Sequence, residues 1–470
     1  MVSERTGKTN SMYDFRKLLI LQLVIVLCSA ESAGFAQEPS ARLEMSNVLD
    51  LAAVDEVVHK SLKSGELPGC VILVLHRDQV VFRKAYGSRS VLPARNAMGA
   101  DTVFDLASLT KPLATATSIM LLAEQGKVSL SDKVVRYLPS FGQQGKDKIT
   151  LEQLLLHTSG LIADNPAADY QHGKAVALQN ICQLKPVAAP GERFTYSDVG
   201  YIVLGEIVER VTGQNLNAYT HSHIYAPLGM TSTTFLPQDP LRVRAAPTEK
   251  REGIFRAGDV HDPRAYRLGG VAGHAGLFST ADDIAKYARM LLRGGELDGQ
   301  RILSPDSVRK MTAARNVPGG LRAFGWDVDT RFSSNRGDLF PRGQSFGHTG
   351  FTGTSIWIDP TSAAAVIFLS NRVHPEGKGN VNKLRGQVAT IVAGALRAGQ
   401  TPKTATSNLD SSPTILDGIL TPPQVTFREA EPIRAGRRFC RLACFSPVRG
   451  ATSPDAGGPA RRCWRGTGLP

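Results

Sequence analysis

The stretch ASLTKP, residues 107–112, lies where an N-terminal β-rich pattern gives way to a long helical region. Pro112 lacks a backbone N–H and would clash inside a helix, so Ser108 is predicted to lie at or near a helix N-terminus. A spacing of three then places Ser108 and Lys111 on one face. Two interpretations stay open here: Ser108 caps the helix, or Ser108 is a nucleophile and Lys111 takes its proton.

Strand patterns stand on both sides of the helical middle. The run CVILVLHRDQVVFRKAYG, residues 70–87, predicts an antiparallel hairpin that turns at Arg77-Asp78. From about 112 to 300 the periodicity is mostly helical, and after 320 strands return in FGWDVD, TSIWID and AAVIFLSN, before a last helix near 381–398. This order predicts one sheet built from both ends of the chain, with a helical region inserted.

The two ends of the chain differ from this body. Residues 1–36 have the pattern of a signal peptide, because a basic start precedes an apolar run of about 13 residues, shorter than the about 20 of a membrane span. Residues 401–470 lack apolar periodicity and predict a disordered or aberrant tail. We therefore expect an exported domain over 37–400, without a transmembrane span in its mature form. Its α/β part is expected at about 47–105 and 300–400, and its helical part at about 106–300.

Composition indicates a globular protein with a large core: 470 residues, 42% hydrophobic and 21% charged. The formal net charge of +13 does not point to nucleic acid, because residues 431–470 alone carry eight arginines against two carboxylates, and no basic run is interleaved with aromatics. No cluster of Cys and His has metal-ligand spacing, so no metal is expected. Cys70 and Cys182 are expected to be buried thiols, although a disulfide between them stays open.

Two later stretches bear on the choice at Ser108. YSD, residues 196–198, precedes a helix, and HTG, residues 348–350, precedes a strand. Each has an ordinary structural explanation, since Ser197 or Asp198 can cap the helix and Gly350 can serve a turn. The order and spacing are more specific: about 90 residues separate the S-x-x-K pair from YSD, and about 150 separate YSD from HTG. This arrangement favours the catalytic interpretation.

Together these stretches resemble the serine β-lactamase and penicillin-binding protein family, in its class C branch, over about residues 47–400. The resemblance extends to LLLHTSGL (154–161), PLGM (227–230) and GHAGLFSTADDIAKYA (273–288). It implies a β-lactamase/DD-peptidase-like fold of the α/β (α+β) class. In that fold a mixed, mostly antiparallel sheet flanked by helices carries an inserted all-α domain, and the site lies between them.

The same resemblance assigns the catalytic roles. It makes Ser108 the acyl-forming nucleophile, Lys111 its proton partner and Tyr196 the general base and acid. A buried lysine can have a lowered pKa, and a phenol with a pKa near 10 needs cations around it to act as a base. The backbone N–H groups of Ser108 and Phe351 would form the oxyanion hole.

The substrate side departs from the commonest class C pattern at two positions. His348, Thr349 and Gly350 are expected to hold the substrate's carboxylate or the forming intermediate. His348 replaces a lysine, so its positive charge depends on pH, and we expect activity to fall as it loses its proton. Asp198 replaces an asparagine and offers only acceptors when ionised. Both changes weaken the case for strong β-lactamase activity and favour D-alanyl-D-alanine carboxypeptidases and related esterases of that branch.

Three further histidines have more ordinary interpretations. His157 in LLLHTSGL is expected to be a structural hydrogen-bonder. His274, in the glycine-rich run GGVAGHAG at 269–276, is a candidate for lining the cleft, and His261 for holding a loop through a bond to backbone.

The sequence therefore predicts an exported serine hydrolase that forms an acyl-enzyme on Ser108. Its expected substrate is a D-alanyl peptide of the cell wall, such as a peptidoglycan stem peptide. The alternatives are an esterase or weak β-lactamase on the same scaffold and, from another class, a non-catalytic penicillin-family binding or sensor module. No cofactor is implied, and the oligomeric state stays open.

Overall fold

The hairpin predicted at 70–87 belongs to the largest sheet of the protein, as seen in a computed structural model that describes residues 49–399. Its strands, Gly69–His76 and Gln79–Ser90, turn at Arg77 and Asp78, whose φ angles are 47° and 70°. Two consecutive residues with positive φ give a tight turn whose twist suits antiparallel strands, so the hairpin is confirmed. The predicted signal peptide (1–36) and tail (401–470) lie outside the described residues.

The large sheet has nine strands, drawn from both ends of the described chain. Every neighbouring pair in it is antiparallel. The first hairpin strand pairs with Ala364–Ser370, which joins the N-terminal and C-terminal parts and confirms the predicted arrangement. In order across the sheet, the strands are Arg315–Val317, Gly320–Arg322, Asp327–Asp329, Phe346–Thr349, Ser355–Asp359, Ala364–Ser370, Gly69–His76, Gln79–Ser90 and Asn96–Ala97.

The strand Gly69–His76 is apolar along its length because both faces of the sheet are covered. Alternate residues Val71, Leu73 and Leu75 pack into the core shared with the helical region. The intervening residues face a second core, formed with the helices Ala52–Lys63 and Asn382–Ala398. Cys70 lies in that second core and Cys182 in the first; both are buried free thiols, as expected.

The segment with Ser108 passes from a short strand directly into helix. Phe104–Asp105 is followed by a 3₁₀ turn at Ala107–Leu109, a π-helical turn at Lys111–Ala116 and the α-helix Thr117–Glu124. No helix within residues 49–399 is long and apolar enough to cross a membrane. The other α-helices not yet mentioned are Leu151–Leu155, Gly173–Gln183, Asp198–Thr212, Leu216–Thr220, Pro263–Arg267, Ala281–Leu292 and Pro305–Thr312.

Short turns and strands complete the helical region. A three-stranded sheet places Leu277–Ser279 between Phe104–Asp105 and Thr234–Phe235. Two-stranded pairs form from Lys250–Arg251 with Ile254–Phe255 and from Glu296–Leu297 with Gln300–Arg301. The remaining 3₁₀ and π turns are Val134–Arg136, Pro139–Gly145, Ala167–Tyr170, His221–Tyr225, Arg242–Arg244 and Ser333–Arg336.

The glycine-rich run 269–276 is a loop, as predicted, and packs tightly on the helix Asp198–Thr212. A Cβ atom added to Gly273 would lie 2.0 Å from the carbonyl oxygen of Tyr201, so only glycine allows this approach. The Gly273 carbonyl also accepts a hydrogen bond from the Thr115 hydroxyl at 2.6 Å. The loop thereby joins the helix that follows YSD to the helix that follows Ser108.

Candidate active site

Ser108 follows a backbone turn of unusual conformation. Ala107 has a φ of 47°, a left-handed conformation that costs a non-glycine residue roughly 1 kcal/mol. The buried Asp105 carboxylate accepts a hydrogen bond from the Ala107 N–H at 2.8 Å, and the Thr110 hydroxyl donates to the Ala107 carbonyl at 2.7 Å. These bonds hold the turn and leave the Ser108 side chain half-buried at the cleft.

The Ser108 hydroxyl contacts Lys111 and caps no backbone N–H in the described part of the chain. Lys111 Nζ lies 3.1 Å from Ser108 Oγ, and the helical turns on either side of Thr110 have no side-chain cap bond at their starts. The fully buried Lys111 ammonium also donates to the His274 carbonyl at 3.0 Å. The structure therefore favours the serine–lysine pair over the capping interpretation.

The charge on Lys111 differs from expectation. Burial alone lowers the pKa of Lys111, but the Asp198 carboxylate, 2.6 Å from Nζ, and Tyr196 together raise it further. The resulting pKa lies above the ordinary lysine value, so Lys111 is an ammonium at neutral pH. The sequence-based expectation of a lowered lysine pKa is wrong because the carboxylate at position 198 pairs directly with the amine.

Tyr196 lies against the same ammonium. Lys111 Nζ is 4.9 Å from the centre of the Tyr196 ring, and Tyr196 lines the same cavity as Ser108. Burial raises the pKa of Tyr196, and Lys111 and hydrogen bonding to Ser108 act in the opposite direction without cancelling the rise. Tyr196 therefore keeps its phenol proton at rest, next to the cation that would stabilise a phenolate.

The helix Asp198–Thr212 holds Tyr196 and Asp198 on either side of its cap. Ser197 is the cap residue, since its hydroxyl accepts a hydrogen bond from the Gly200 N–H at 3.1 Å. The Ser197 N–H donates to Nδ1 of the buried His157 at 3.0 Å. The His157 ring also stacks on Tyr196, with 4.5 Å between ring centroids. His157 is thus the structural hydrogen-bonder that the sequence predicts.

The turn after HTG is hydrogen-bonded to the backbone just before Ser108. The Thr352 hydroxyl donates to the Asp105 carbonyl at 2.7 Å, and the Thr354 hydroxyl donates to the Leu106 carbonyl at 2.9 Å. A Cβ atom at Gly350 would lie 2.3 Å from the Leu106 carbonyl oxygen, which explains the glycine there. Within residues 49–399, the backbone N–H groups of Ser108 and Phe351 have no acceptor, so both are available as oxyanion-hole donors.

His348 differs from expectation in its charge. The ring is buried, and its Nδ1 lies 2.8 Å from the Thr349 carbonyl oxygen. Burial, reinforced by the nearby cations Arg322 and Lys111, holds the pKa of His348 well below the ordinary histidine value. His348 is therefore neutral near pH 7 and does not supply the positive charge expected of it. The cation at this place is Arg322.

Arg322 and three other cations are the residues that sequence reasoning missed. They line a cavity of about 510 Å³ that also contacts Ser108 and Tyr196. The Arg322 side chain is 1% exposed; its Nη1 lies 3.2 Å from Asp327, whereas Nε and Nη2 have no acceptor among the described residues. No sequence signal distinguishes this arginine from a surface one. The cavity has a cationic wall formed by four residues: Arg322, Arg372, Lys378 and Arg385.

An acidic cluster lies behind Lys111, on the other side of the site. Asp198, Asp262 and His274 offer oxygen and nitrogen atoms within 4.8 Å of one another, a spacing compatible with a metal ion. His274 Nε2 lies 2.9 Å from Asp262, and burial raises but His274 lowers the pKa of Asp262, which ends below its usual value. Because the Lys111 ammonium already contacts Asp198, it serves as the cation of this cluster. The His274 ring is buried behind the site, so this histidine contributes its carbonyl instead.

His261 fixes its loop through its own backbone N–H, and among the described residues its ring makes no bond to backbone of the kind the sequence suggests. Its N–H donates to Asp105 Oδ2 at 2.6 Å, so the carboxylate that fixes Ala107 also fixes this loop. The His261 ring stacks on Phe351, with 5.3 Å between centroids, and its Nε2 lies 3.0 Å from Glu249. Phe351 is 59% exposed at the mouth of the cavity.

This chain is similar to known proteins in sequence and in fold. The family described as Beta-lactamase matches residues 54–390. A "Putative D-alanyl-D-alanine carboxypeptidase" of Escherichia coli (strain K12) is 34% identical over 400 residues, covering 76% of this chain and 91% of the relative. An "N-acetylmuramyl-L-alanine amidase" of Bacillus subtilis (strain 168) is 31% identical over 424 residues, covering 80% of this chain and 95% of the relative. The solved structure of "EstCE1, a hydrolase with promiscuous acyltransferase activity" has a TM-score of 0.60 and 25% sequence identity, and the match covers 73% of this chain and 98% of that one.

Proposed function

Because the chain belongs to the beta-lactamase family, we propose that it is a serine hydrolase that forms an acyl-enzyme on Ser108 and releases D-alanine from D-alanyl-D-alanine peptides. One observation carries the proposal: Ser108 Oγ lies 3.1 Å from a buried lysine, beside Tyr196. Ser108 and Tyr196 line a cavity that also contains Arg322, whose Nε and Nη2 have no acceptor among the described residues. The names of the carboxypeptidase and amidase relatives support a cell-wall peptide as substrate.

The protonation states favour a relay through Tyr196. Neither the Lys111 ammonium nor the Tyr196 phenol is a free base at rest. As Ser108 Oγ bonds to the substrate carbonyl carbon, its proton passes to the Tyr196 oxygen. The bond from that carbon to the leaving amine nitrogen then breaks, and the phenol's own proton passes to this nitrogen. Lys111 stays charged and stabilises the negative charge that develops on the phenol oxygen. Water then attacks the acyl-enzyme through the same relay, and Ser108 regains its proton.

The cationic wall of the cavity supports a substrate with a terminal carboxylate. Among the residues that the structure describes, Arg322 has two N–H-bearing nitrogens without an acceptor, and leaving buried donors unsatisfied is unfavourable until an anion arrives. Thr349 lines the same cavity and carries a hydroxyl that can donate. An arginine fork suits a carboxylate, which accepts two parallel hydrogen bonds. The carboxylate of a C-terminal D-alanine meets this requirement.

An esterase is the second candidate. The likeness to EstCE1, a hydrolase by its title, favours it, and a small ester needs no anion-binding wall. Asp198 replaces the family's usual asparagine and is engaged by Lys111, so it is not free to orient a peptide amide. An esterase would therefore use Ser108 and Lys111 but make little use of Arg322.

Parallel assays on the purified protein separate these functions. We expect release of D-alanine from a D-alanyl-D-alanine peptide, slower hydrolysis of a p-nitrophenyl ester, weak turnover of a chromogenic cephalosporin, and loss of all three in Ser108→Ala. Ester turnover without D-alanine release would favour the esterase. No turnover and no penicillin labelling of the folded protein would favour a non-catalytic binding module.

The proposal includes export and the expected domain limits. Assembled peptidoglycan lies outside the cytoplasmic membrane, so a carboxypeptidase that acts on it must be exported. We expect the mature protein in the periplasmic or extracellular fraction, with an N-terminus near residue 37. We also expect a protein of residues 37–400 to keep the hydrolytic activity. N-terminal sequencing after cell fractionation tests the export and the cleavage position. Assay of the chain truncated to residues 37–400 tests the domain limits.

A further inference from the structure

We propose that Arg385 is a positioning residue for the oxyanion hole, whose guanidinium holds and polarises the peptide unit between Gly350 and Phe351. This inference rests on the proposed function, in which the backbone N–H groups of Ser108 and Phe351 receive the substrate's oxyanion. It assigns Arg385 an action through the backbone in place of direct contact with the substrate.

The inference rests on a hydrogen bond between a helix and the residue that follows the strand containing His348 and Thr349. Arg385 lies in the first turn of the helix Asn382–Ala398, and its Nη2 donates to the Gly350 carbonyl at 3.1 Å. The Gly350 carbonyl and the Phe351 N–H belong to one planar peptide unit. A donor on that carbonyl therefore acts directly on the N–H that points to the proposed hole.

A cation on the carbonyl strengthens the donor at the other end of the same peptide. Hydrogen bonding to the Gly350 oxygen draws electron density away from the nitrogen, and hydrogen bonds in a chain reinforce one another in a buried environment. A charged donor does this more strongly than a neutral one. The Gly353 N–H, at 3.2 Å, donates to the same carbonyl and helps to fix the plane of the peptide.

Within residues 49–399, Arg385 forms no ion pair with a carboxylate. Its side chain is buried, and Nε has no acceptor in the described part of the chain. Burial, with some repulsion from Arg372, lowers the pKa of Arg385 to about 9. Its other partner is the Asn382 amide oxygen, 3.5 Å from Nη1. A buried cation without an ion pair is unfavourable for folding, which is typical of groups retained for function.

Arg372 provides a matched control on the same cavity. Its Nε donates to the Phe351 carbonyl at 2.8 Å, which belongs to the following peptide unit. Arg372 therefore places a cation on the same cavity without polarising the Phe351 N–H. The two arginines separate polarisation of one peptide from the general positive charge of the cavity.

The test is infrared spectroscopy of an acyl-enzyme trapped by rapid freezing, formed from p-nitrophenyl acetate isotope-labelled at the acyl carbonyl. Stronger hole donors lower the carbonyl stretching frequency. We expect Arg385→Gln to raise this frequency and slow acylation roughly tenfold, less than the loss of a whole donor, with little change in the substrate concentration that half-saturates the acylation burst. Arg372→Gln should leave the carbonyl band in place, and Arg385→Lys should recover part of the shift.

An unchanged carbonyl band in Arg385→Gln would overturn the inference. So would an unchanged maximal acylation rate together with a higher substrate concentration at half-saturation of the acylation burst, which indicates direct substrate binding. If Arg385→Gln does not fold, Arg385→Lys carries the test, and an unchanged band in that variant overturns the inference equally. Failure of the proposed acyl-enzyme chemistry gives a different result, because the wild-type protein would then show no acyl-enzyme band, whereas an esterase that releases no D-alanine would still show one.

Discussion

The two walls of the cleft are both built from buried charges, but they are completed differently. On one wall, Lys111 contacts Asp198 at 2.6 Å and donates to the His274 carbonyl, so its charge is satisfied within the protein. On the other wall, Arg322 keeps two N–H-bearing nitrogens, Nε and Nη2, without an acceptor among the described residues. Paired groups hold their geometry and protonation without substrate, whereas unpaired donors are costly until an anion binds. Under the proposed function, the wall with the paired Lys111 performs the chemistry, and the wall with the unpaired Arg322 selects the substrate.

The largest expected effect on activity comes from removing Lys111, the cation of the paired wall. Lys111→Met removes the ammonium beside Ser108 and Tyr196, so we expect acylation to slow by about 10³-fold or more. Stopped-flow measurement of p-nitrophenol release gives the acylation rate, and circular dichroism checks the fold. Acylation within tenfold of wild type would show that Lys111 is not part of the machinery.

The next effect comes from the unpaired wall and depends on the substrate. Arg322→Gln should lower kcat/KM for a D-alanyl-D-alanine peptide by about 10²-fold, because a charge-assisted pair with the carboxylate is lost. The p-nitrophenyl ester has no carboxylate, so its hydrolysis should change little. Arg342→Gln, which removes a cation with a 75% exposed side chain outside this cavity, is the control. Equal losses on both substrates would contradict a selecting role for this wall.

A smaller effect should follow from unpairing Lys111 without removing it. In Asp198→Asn the carboxylate that raises the pKa of Lys111 is gone, and burial, which lowers the pKa, prevails. The ammonium is the active form below its pKa, so the alkaline loss of kcat/KM should move to lower pH. Asp164→Asn removes a neighbouring charge that does not act on Lys111, and its profile should shift less. An alkaline limb that stays in place or moves to higher pH would contradict the pairing.

The smallest expected effect concerns His348. Its folded-state pKa lies well below that of an unfolded histidine, which is near 6.5. Between these values the unfolded chain binds more protons, so stability is complete above about pH 6.5 and falls as the pH decreases. His348→Gln should reduce this acid loss in urea unfolding at pH 7 and pH 5.5, and activity between pH 6.5 and 8 should not follow histidine titration. Stability that rises on acidification would contradict a buried neutral ring.

The parts that could be predicted from sequence were those set by local pattern and spacing. The hairpin at 70–87 followed from two apolar runs around Arg77-Asp78, and the helix start at Ser108 followed from Pro112. The cationic wall could not be predicted, because Arg322 and Arg385 are charged by type and acquire their burial only through tertiary packing. The charge states of Lys111 and His348 depended in the same way on neighbours that are distant in sequence.

Mass spectrometric peptide mapping after incubation with a fluorescent penicillin tests the central claim most directly. The claim is that Ser108, held beside the Lys111 ammonium, is the residue that becomes acylated. We predict one covalent adduct per chain, located on the peptide that contains Ser108 and absent from the folded Ser108→Ala protein. An adduct on another residue, or an equally labelled Ser108→Ala protein, would contradict the account.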